Sequence, residues 1–198
     1  MRSGKLSRGT RPIDEVGYSH ARTFARRGGA AMPGWTRLGK TMETEGLTLR
    51  KTSGGNYPRL AAHGEVLTHG VHTWELVFTA AANANANRMM YVGVGREGLD
   101  VEKGGHHKAG AWYLRTDEGT LHGGLDGVEQ TPIERAFVVG DRIGVRMNCD
   151  EGSLHFYKNG KAMDVGFPAG TITGPVVGAV ELMCIGQALT LMPEAKLA

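Results

Sequence analysis

Apolar and polar residues alternate most regularly in the last third of the chain. Every second residue from Ile143 to Cys149 is apolar, which is the period of a β-strand with one buried face. The alternation stops at Asp150-Glu151-Gly152, resumes from Leu154 to Phe156, and stops again at Asn159-Gly160. Asn-Gly is the favoured pair for a type I′ hairpin turn. The pattern therefore predicts an antiparallel meander whose third strand is Lys161–Phe167.

Shorter runs of the same kind are spread from Trp35 onward. The other strands are predicted at Trp35–Leu38, Leu47–Lys51, Val71–Phe78, Arg88–Arg96, Trp112–Arg115, Thr120–Gly123, Pro175–Val180 and Ala188–Met192. Trp74 is predicted to lie in the core. Lys51–Gly64 is predicted as a loop, Thr79–Asn87 as a hairpin loop, and Glu97–Gly110 as a long loop. Roughly a dozen short strands at regular spacing predict an all-β fold, a two-sheet antiparallel sandwich.

The net charge of +3 is unevenly distributed along the 198 residues. Residues 1–34 carry seven basic and two acidic side chains, a net +5, and the other 164 residues carry 16 basic and 18 acidic, a net −2. We interpret 1–34 as a basic, disordered arm, 35–193 as the folded domain and 194–198 as a tail. A targeting segment and a contact for an acidic partner remain alternatives for the arm. The near-neutral body argues against a basic nucleic-acid-binding domain.

The two cysteines, Cys149 and Cys184, are too few for a disulfide framework. Cys149 lies on the apolar face of its predicted strand, so we expect a buried free thiol. No signal peptide is recognisable, and no run approaches the ~20 apolar residues that a membrane helix needs. These features predict an intracellular, cytoplasmic protein without a membrane span, with organelle targeting by the basic N-terminus as the alternative.

One short motif resembles a dinucleotide-binding fingerprint. Gly93 to Gly98 match G-x-G-x-x-G, and Asp117 lies about twenty residues further on. That site needs the third glycine inside a helix whose N-terminus holds the pyrophosphate. The residues that follow, from Leu99, end at Gly104-Gly105, which is too short for the helix of a βαβ unit. We interpret the motif as a tightly packed strand that runs into a loop.

The acidic and histidine residues do not form a catalytic or metal-binding pattern. Asp117-Glu118 and Asp150-Glu151 each precede a glycine between strands, and strand neighbours point to opposite faces, so turn chemistry explains them. Glu75 lies at a strand centre, on the face opposite to Trp74. His106-His107 lack the spacing that brings two imidazoles to one ion. The sequence predicts no enzyme, catalytic residue, cofactor or metal.

The segment GDRIGVRMNCDEGSLHFYKNGKAMDVGF resembles the C-terminal half of a SPRY domain. The sequence pattern of that half is G-D-x-[IV]-G, a few residues, and then D-x-x-x-G-x-[LI]-x-F-x-[KL]-N-G. Six residues occupy those places, with one residue fewer before the glycine: Asp150, Gly152, Leu154, Phe156, Asn159 and Gly160. Other blocks similar to the family occur in its order: Gly70–Glu75, Tyr91–Gly95, Ala111–Leu114 and Gly119–His122 upstream, and Gly174–Val176 and Ala179–Val180 downstream. The resemblance covers Trp35 to Met192, and no PRY segment precedes Leu47.

The resemblance implies a concanavalin-like sandwich that binds peptide segments or protein surfaces through loops at one end. On this chain those loops are Gly54–Gly64, Glu97–Gly110 and the segment after Val180. The candidate partner-binding residues are Tyr57, Arg59, His106, His107, Lys108 and Glu181. In peptide-binding relatives a small apolar-Trp-Gly run occupies the place of Val180-Glu181-Leu182. Glutamate in place of that tryptophan implies a different specificity and favours a basic ligand.

Two further functions are open for the same architecture. A carbohydrate-binding, lectin-like domain wants an exposed aromatic side chain beside Asp or Asn, often with calcium, and Tyr57 beside Asn56 is the feature that suggests it. An enzyme is the third, without a motif to support it. The first expectation is a monomeric, non-catalytic domain that binds a protein or peptide.

Overall fold

The computed structural model of the protein describes residues 34–82, 88–105, 110–123 and 136–197. These residues form strands and connections and contain no helix. The strands, numbered in chain order, are β1 Trp35–Leu38, β2 Met42–Glu45, β3 Thr48–Lys51, β4 Arg59–Leu67, β5 Val71–Ala80, β6 Met90–Arg96, β7 Ala111–Arg115, β8 Thr120–Gly123, β9 Arg142–Asn148, β10 Ser153–Lys158, β11 Lys161–Phe167, β12 Val176–Leu182 and β13 Ala188–Leu191.

The strands form two antiparallel sheets. One has six strands in the order β1-β4-β12-β6-β7-β8, and the other has seven in the order β11-β10-β9-β5-β13-β3-β2. The apolar residues of their facing sides form one buried core, which includes Trp74, Val92, Trp112, Ile143 and Phe156. The predicted all-β sandwich is therefore confirmed, with Trp74 in its core.

The predicted meander is also confirmed. β9 pairs with β10 from Asn148↔Ser153 to Ile143↔Lys158, and β10 pairs with β11 across the Asn159-Gly160 turn. Asn159 has a φ of 52° and Gly160 a φ of 81°, the left-handed pair that a type I′ turn requires. The Asn159 side chain accepts a hydrogen bond from the Arg142 N–H at 2.8 Å, so the turn is fixed to the start of β9.

The loop predicted over Lys51–Gly64 is too long. β4 begins at Arg59, which places Arg59 and His63 on a strand rather than in a loop. Leu60 and Ala62 face one side of the six-stranded sheet while Ala61 faces the other, and all three are buried. Because both faces of β4 are covered here, its apolar residues run consecutively and lack the alternation that marks a strand. The short strand β2 lacks alternation for the opposite reason, since only Met42 of its four residues is buried.

The segment predicted as a hairpin loop, Thr79–Asn87, connects the two sheets instead. β5 includes Thr79 and Ala80 and pairs with β9 and β13, whereas β6 pairs with β12 and β7 in the other sheet. Residues 83–87 lie outside the described residues. The small and polar residues of this segment indicate that a strand ends, but they do not indicate which sheet the next strand joins.

The G-x-G-x-x-G motif belongs to a tightly packed strand, as predicted. Gly93 and Gly95 lie in β6, and Gly98 in the turn that follows has a φ of 83°. A Cβ on Gly93 would collide with the carbonyl oxygen of Trp112 on β7.

Cys149 was predicted to be a buried free thiol on a strand. It is a free thiol, but it lies just beyond the end of β9 at Asn148 and is only half-buried.

Candidate functional site

Two connections meet at one end of the sandwich. Residues 52–58 link β3 to β4, and residues 183–187 link β12 to β13. The Lys51 N–H donates to the carbonyl of Gln187 at 3.0 Å, and the Gly186 N–H donates to the carbonyl of Lys51 at 2.9 Å. Arg59, the first residue of β4, pairs with Leu182, the last of β12. We call the exposed side of these two connections, with the flanking Arg50 and Arg59, the end surface.

The connection 52–58 is held by several contacts. The Thr52 N–H donates to the carbonyl of Thr41 at 2.9 Å, and the Lys51 ammonium donates to the carbonyl of Ser53 at 2.9 Å. Gly54 has a φ of 82° and lies so close to Thr41 that an added Cβ would be 2.5 Å from its Cγ2. The loop therefore has one preferred shape, which needs glycine at position 54.

The connection 183–187 is held by the side chain of Gln187. Its Oε1 accepts hydrogen bonds from the N–H groups of Met183 and Cys184 at 2.7 and 2.9 Å. Its Nε2 donates to the carbonyl of Met89 at 2.9 Å. A single buried amide thus satisfies backbone groups of this turn and ties it to the chain just before β6.

Large apolar side chains project from both connections. Tyr57 is 68% exposed and Ile185 is 43% exposed. Water-exposed aromatic and branched aliphatic side chains on fixed loops are the kind of groups that bind a partner by burial. Tyr57 was predicted as a contact residue, and Ile185 falls within the predicted segment after Val180 without having been singled out.

Arg50 and Arg59 give the end surface positive charge. The carboxylate of Glu43 on β2 borders it, since Glu43 pairs with Arg50 and its Oε1 accepts a hydrogen bond from the Thr52 hydroxyl at 3.2 Å. The exposed Arg50 donates from Nη1 to the carbonyl of Gly186 at 3.1 Å, and the half-buried Arg59 donates from Nη1 to the carbonyl of Pro58 at 2.8 Å. The ammonium of Lys51 lies beneath the loop. Burial lowers the pKa of Lys51, the charge of Arg59 lowers it further, and Cys184 acts in the opposite direction. Neither connection contains Asp or Glu.

Glu181 lies in a different environment from the one expected of a contact residue. It is 0% exposed, in the middle of the six-stranded sheet between Leu60 of β4 and Tyr91 of β6. The Gly105 N–H donates to its Oε2 at 3.2 Å. Burial raises the pKa of nearby Tyr113 well above its usual value, and the charge of Glu181 acts in the same direction.

The cause of this burial is the loop that follows β6. Gly104 packs so closely on Pro58 that a Cβ there would overlap the Pro58 carbonyl, and Leu99 fills the space beside Gly95. The guanidinium of Arg37 on β1 donates to the carbonyl of Leu99 at 3.3 Å. Residues 97–105 therefore cover the outer face of the six-stranded sheet over Glu181, so this described part of the predicted contact loop packs on the protein itself.

The structure brings Tyr57 and Arg59 together at the end surface, and it places Glu181 beneath a neighbouring loop. His106, His107 and Lys108 lie outside the described residues and stay predictions. The sequence did not indicate Arg50 as a contact residue, because a charged residue within a short strand is ordinary for an exposed strand face. Its position beside Gly186 depends on the pairing of Arg50 with Ala188, which is a contact between residues far apart in sequence.

The strand-centre acid Glu75 has a structural position. It is fully buried on the outer face of the seven-stranded sheet and forms an ion pair with Arg142. Its Oε2 also accepts a hydrogen bond from the Lys196 N–H at 2.8 Å. These contacts attach the chain after β13 to the sheet, so Glu75 anchors the C-terminal segment.

The described ranges contain neither a candidate metal site nor a candidate membrane span. No group of three or more His, Cys, Asp or Glu side chains there is placed to hold a metal ion. Nor does that part of the chain include a helix of the length and apolarity needed to cross a membrane.

The fold is similar to that of solved SPRY domains. The SPRY domain of human HERC1 superposes with a TM-score of 0.64 and 18% identity over 80% of this chain and 96% of that one. A second human SPRY domain gives 0.58 and 18% over 83% and 99%. The PSpry domain of TRIM65 gives 0.59 and 16% over 80% and 88%. At such identities these likenesses establish the fold alone.

The comparison of sequences gives the family. No curated protein matches the chain. The model of the SPRY domain family matches residues 71–193, a range that begins at the first residue of β5 and ends just after β13. This range includes the β9–β11 meander and the strands β6 and β7, which carry the sequence blocks Tyr91–Gly95 and Ala111–Leu114 that resemble the family. The chain belongs to the SPRY domain family.

Proposed function

We propose that this protein binds a short segment of another protein through the end surface. SPRY domains are protein-interaction modules, and the finer assignment of the surface is our own. The observation that carries it is Tyr57, a tyrosine that is 68% exposed on a loop held by buried hydrogen bonds.

The physical argument concerns the cost of binding. A tyrosine has few rotatable bonds and a large amphipathic surface, so it contributes much contact area for little lost side-chain entropy. The loop beneath it is already fixed by Gly54, Thr41 and Lys51. Because little ordering is left for the moment of binding, more of the interaction free energy appears as affinity.

The test is a selection of displayed random peptides on the full chain, followed by affinity measurement of the enriched peptide. We expect Tyr57→Ala to weaken binding by about 10-fold or more, since truncation of an aromatic hot spot costs about 2 kcal/mol or more and each ~1.4 kcal/mol is tenfold in affinity. The matched control is Val66→Ala, which removes an exposed apolar side chain, 41% exposed. Val66 lies seven residues after Arg59 on β4, about 23 Å along the strand at ~3.3 Å per residue. This change should leave the affinity unchanged within about 2-fold.

Two outcomes would contradict the proposal. Enrichment of no peptide by a chain that unfolds cooperatively would exclude recognition of a linear segment. Equal affinity of the wild type and Tyr57→Ala would move the binding surface elsewhere. The lectin-like alternative is tested on a glycan array in parallel, because Asn56 beside Tyr57 is also exposed; glycan binding lost in Tyr57→Ala would favour carbohydrate.

A further inference from the structure

We propose that the segment bound at the end surface is acidic and carries an apolar side chain that packs against Tyr57 and Ile185. This inference rests on the proposed function and adds the chemistry of the partner. It reverses the sign of charge that the sequence suggested, because Glu181 is 0% exposed and because Arg50, Arg59 and Lys51 together outweigh the bordering carboxylate of Glu43.

The two arginines of the end surface are available to an anion. Each guanidinium has five N–H donors, and Arg50 and Arg59 each donate to one backbone carbonyl. Within the described part of the chain neither forms an ion pair with a carboxylate. The carbonyl contacts orient the two guanidinium groups, and Glu43, opposite Arg50 on β2, offsets only part of the positive charge. A guanidinium oriented in this way can bind an incoming carboxylate in a bidentate manner.

Lys51 increases the positive potential at the same place. Its ammonium is buried beneath the 52–58 loop and donates to Ser53 and Thr41, both neutral acceptors. Burial lowers the pKa of Lys51, and the charge of Arg59 acts in the same direction. A bound carboxylate would attract both cations.

The apolar part of the proposed partner follows from the exposed side chains. Tyr57 and Ile185, at 68% and 43% exposure, stand on the two connections that carry no acid. An apolar side chain of the partner, placed between the positive groups, would bury Tyr57 and Ile185. It would also exclude water from the ion pairs that the partner forms beside them. Surrounding contacts that exclude water strengthen central contacts in protein interfaces.

The test uses two matched display libraries of short random peptides on the full chain. They differ only in their charged residues, which are Asp and Glu in one library and Lys and Arg in the other. We expect enrichment from the acidic library alone. The best acidic peptide is then measured by fluorescence anisotropy, and its affinity should fall about 3- to 10-fold with Arg50→Gln and with Arg59→Gln, because each change removes one close charge pair.

A control must show that the loss of a positive charge elsewhere does not weaken binding, because acidic peptides are also attracted by other basic parts of the protein, such as residues 1–34. Lys161→Gln removes an exposed positive charge at the start of β11, five strand positions from β3 in the same sheet, which is about 24 Å at the usual strand spacing. It should leave the affinity nearly unchanged. The affinity for the acidic peptide should also fall between about 50 mM and about 300 mM NaCl, since salt screens such pairs.

Three other outcomes would overturn the inference that the bound segment is acidic. Acidic peptides that bind both arginine variants as tightly as the wild type would be held elsewhere, by the basic arm for example, and would overturn the inference. Enrichment from the basic library that is lost in Tyr57→Ala would overturn it while supporting the proposed function. Enrichment from neither library would overturn both.

Discussion

His63 offers a direct test of the structure through the pH dependence of stability. Its ring is buried, with 4% of the residue exposed, in edge contact with Trp35 at 5.5 Å and with Trp74 at 5.3 Å between ring centroids. Its Nε2 has no hydrogen-bond partner. A charged imidazolium would lose its hydration here, and burial therefore lowers the pKa of His63 from 6.5 to about 3.

The sign and size of the effect follow from proton linkage. Between these two pKa values the unfolded chain binds a proton at His63 that the folded chain does not, so the free energy of unfolding falls as the pH falls. From about pH 7 to about pH 5 the loss is about 2 kcal/mol, and any native pKa below about 4 gives nearly the same result. The loss is about 4 kcal/mol near pH 3 and approaches its full value of about 5 kcal/mol only at lower pH.

The measurement is urea unfolding followed by tryptophan fluorescence, since two of the three tryptophans contact His63. His63→Leu is the comparison because leucine has a similar volume and does not titrate. All other titrating groups are the same in both proteins. We expect the wild type to lose about 2 kcal/mol more than the variant between about pH 7 and about pH 5, whatever the difference in their stability at neutral pH.

Equal losses in the wild type and His63→Leu would refute the reasoning. They would mean that His63 is hydrated or protonated in the folded protein, and hence that β4 does not place this side chain between the sheets. An independent check is the titration of the His63 imidazole by NMR. Its ring signals should stay those of the neutral form well below the ordinary pKa of histidine, as long as the protein is folded.

Two substitutions test other contacts of the sheets by urea unfolding. Glu75→Ala leaves the Arg142 guanidinium without its carboxylate, and we expect a loss of about 2 to 3 kcal/mol, below the full cost of a buried pair because Arg142 is partly exposed; an unchanged midpoint would show that the pair contributes nothing. Gly93→Ala places a Cβ against the Trp112 carbonyl and should cost about 2 kcal/mol or more, whereas Gly34→Ala, with nothing within 4 Å, should be nearly neutral.

The parts of the fold that the sequence predicted are those set by local pattern. The β9–β11 meander has alternating residues and an Asn-Gly turn, and both signals act over neighbours in sequence. β4 was predicted as part of a loop because its first half is buried on both faces and follows a Gly- and Pro-rich stretch. Burial of both faces depends on which elements cover the sheet, and that information is not contained in the strand itself.

The candidate site shows the same division between local and distant causes. Tyr57 follows Gly54-Gly55-Asn56 and precedes Pro58, so its exposure could be inferred from turn residues alone. The burial of Glu181 could not be inferred in this way. It depends on the loop 97–105, whose Gly105 amide bonds a carboxylate 76 residues further along the chain. The burial of Glu181 was therefore the feature of the candidate site that the sequence could not indicate.

Lys51 gives an argument that the end surface serves more than folding. Burying an ammonium costs free energy that hydrogen bonds to Ser53 and Thr41 offset only in part, and the nearby charge of Arg59 adds repulsion. An apolar side chain at position 51 would avoid both costs, since Leu49, two residues earlier on β3, packs in the core on the same face. The unfavourable group lies directly beneath the loop that presents Tyr57. Local violations of folding rules are most frequent at functional sites, and this one concentrates positive charge where we propose that an acidic segment binds.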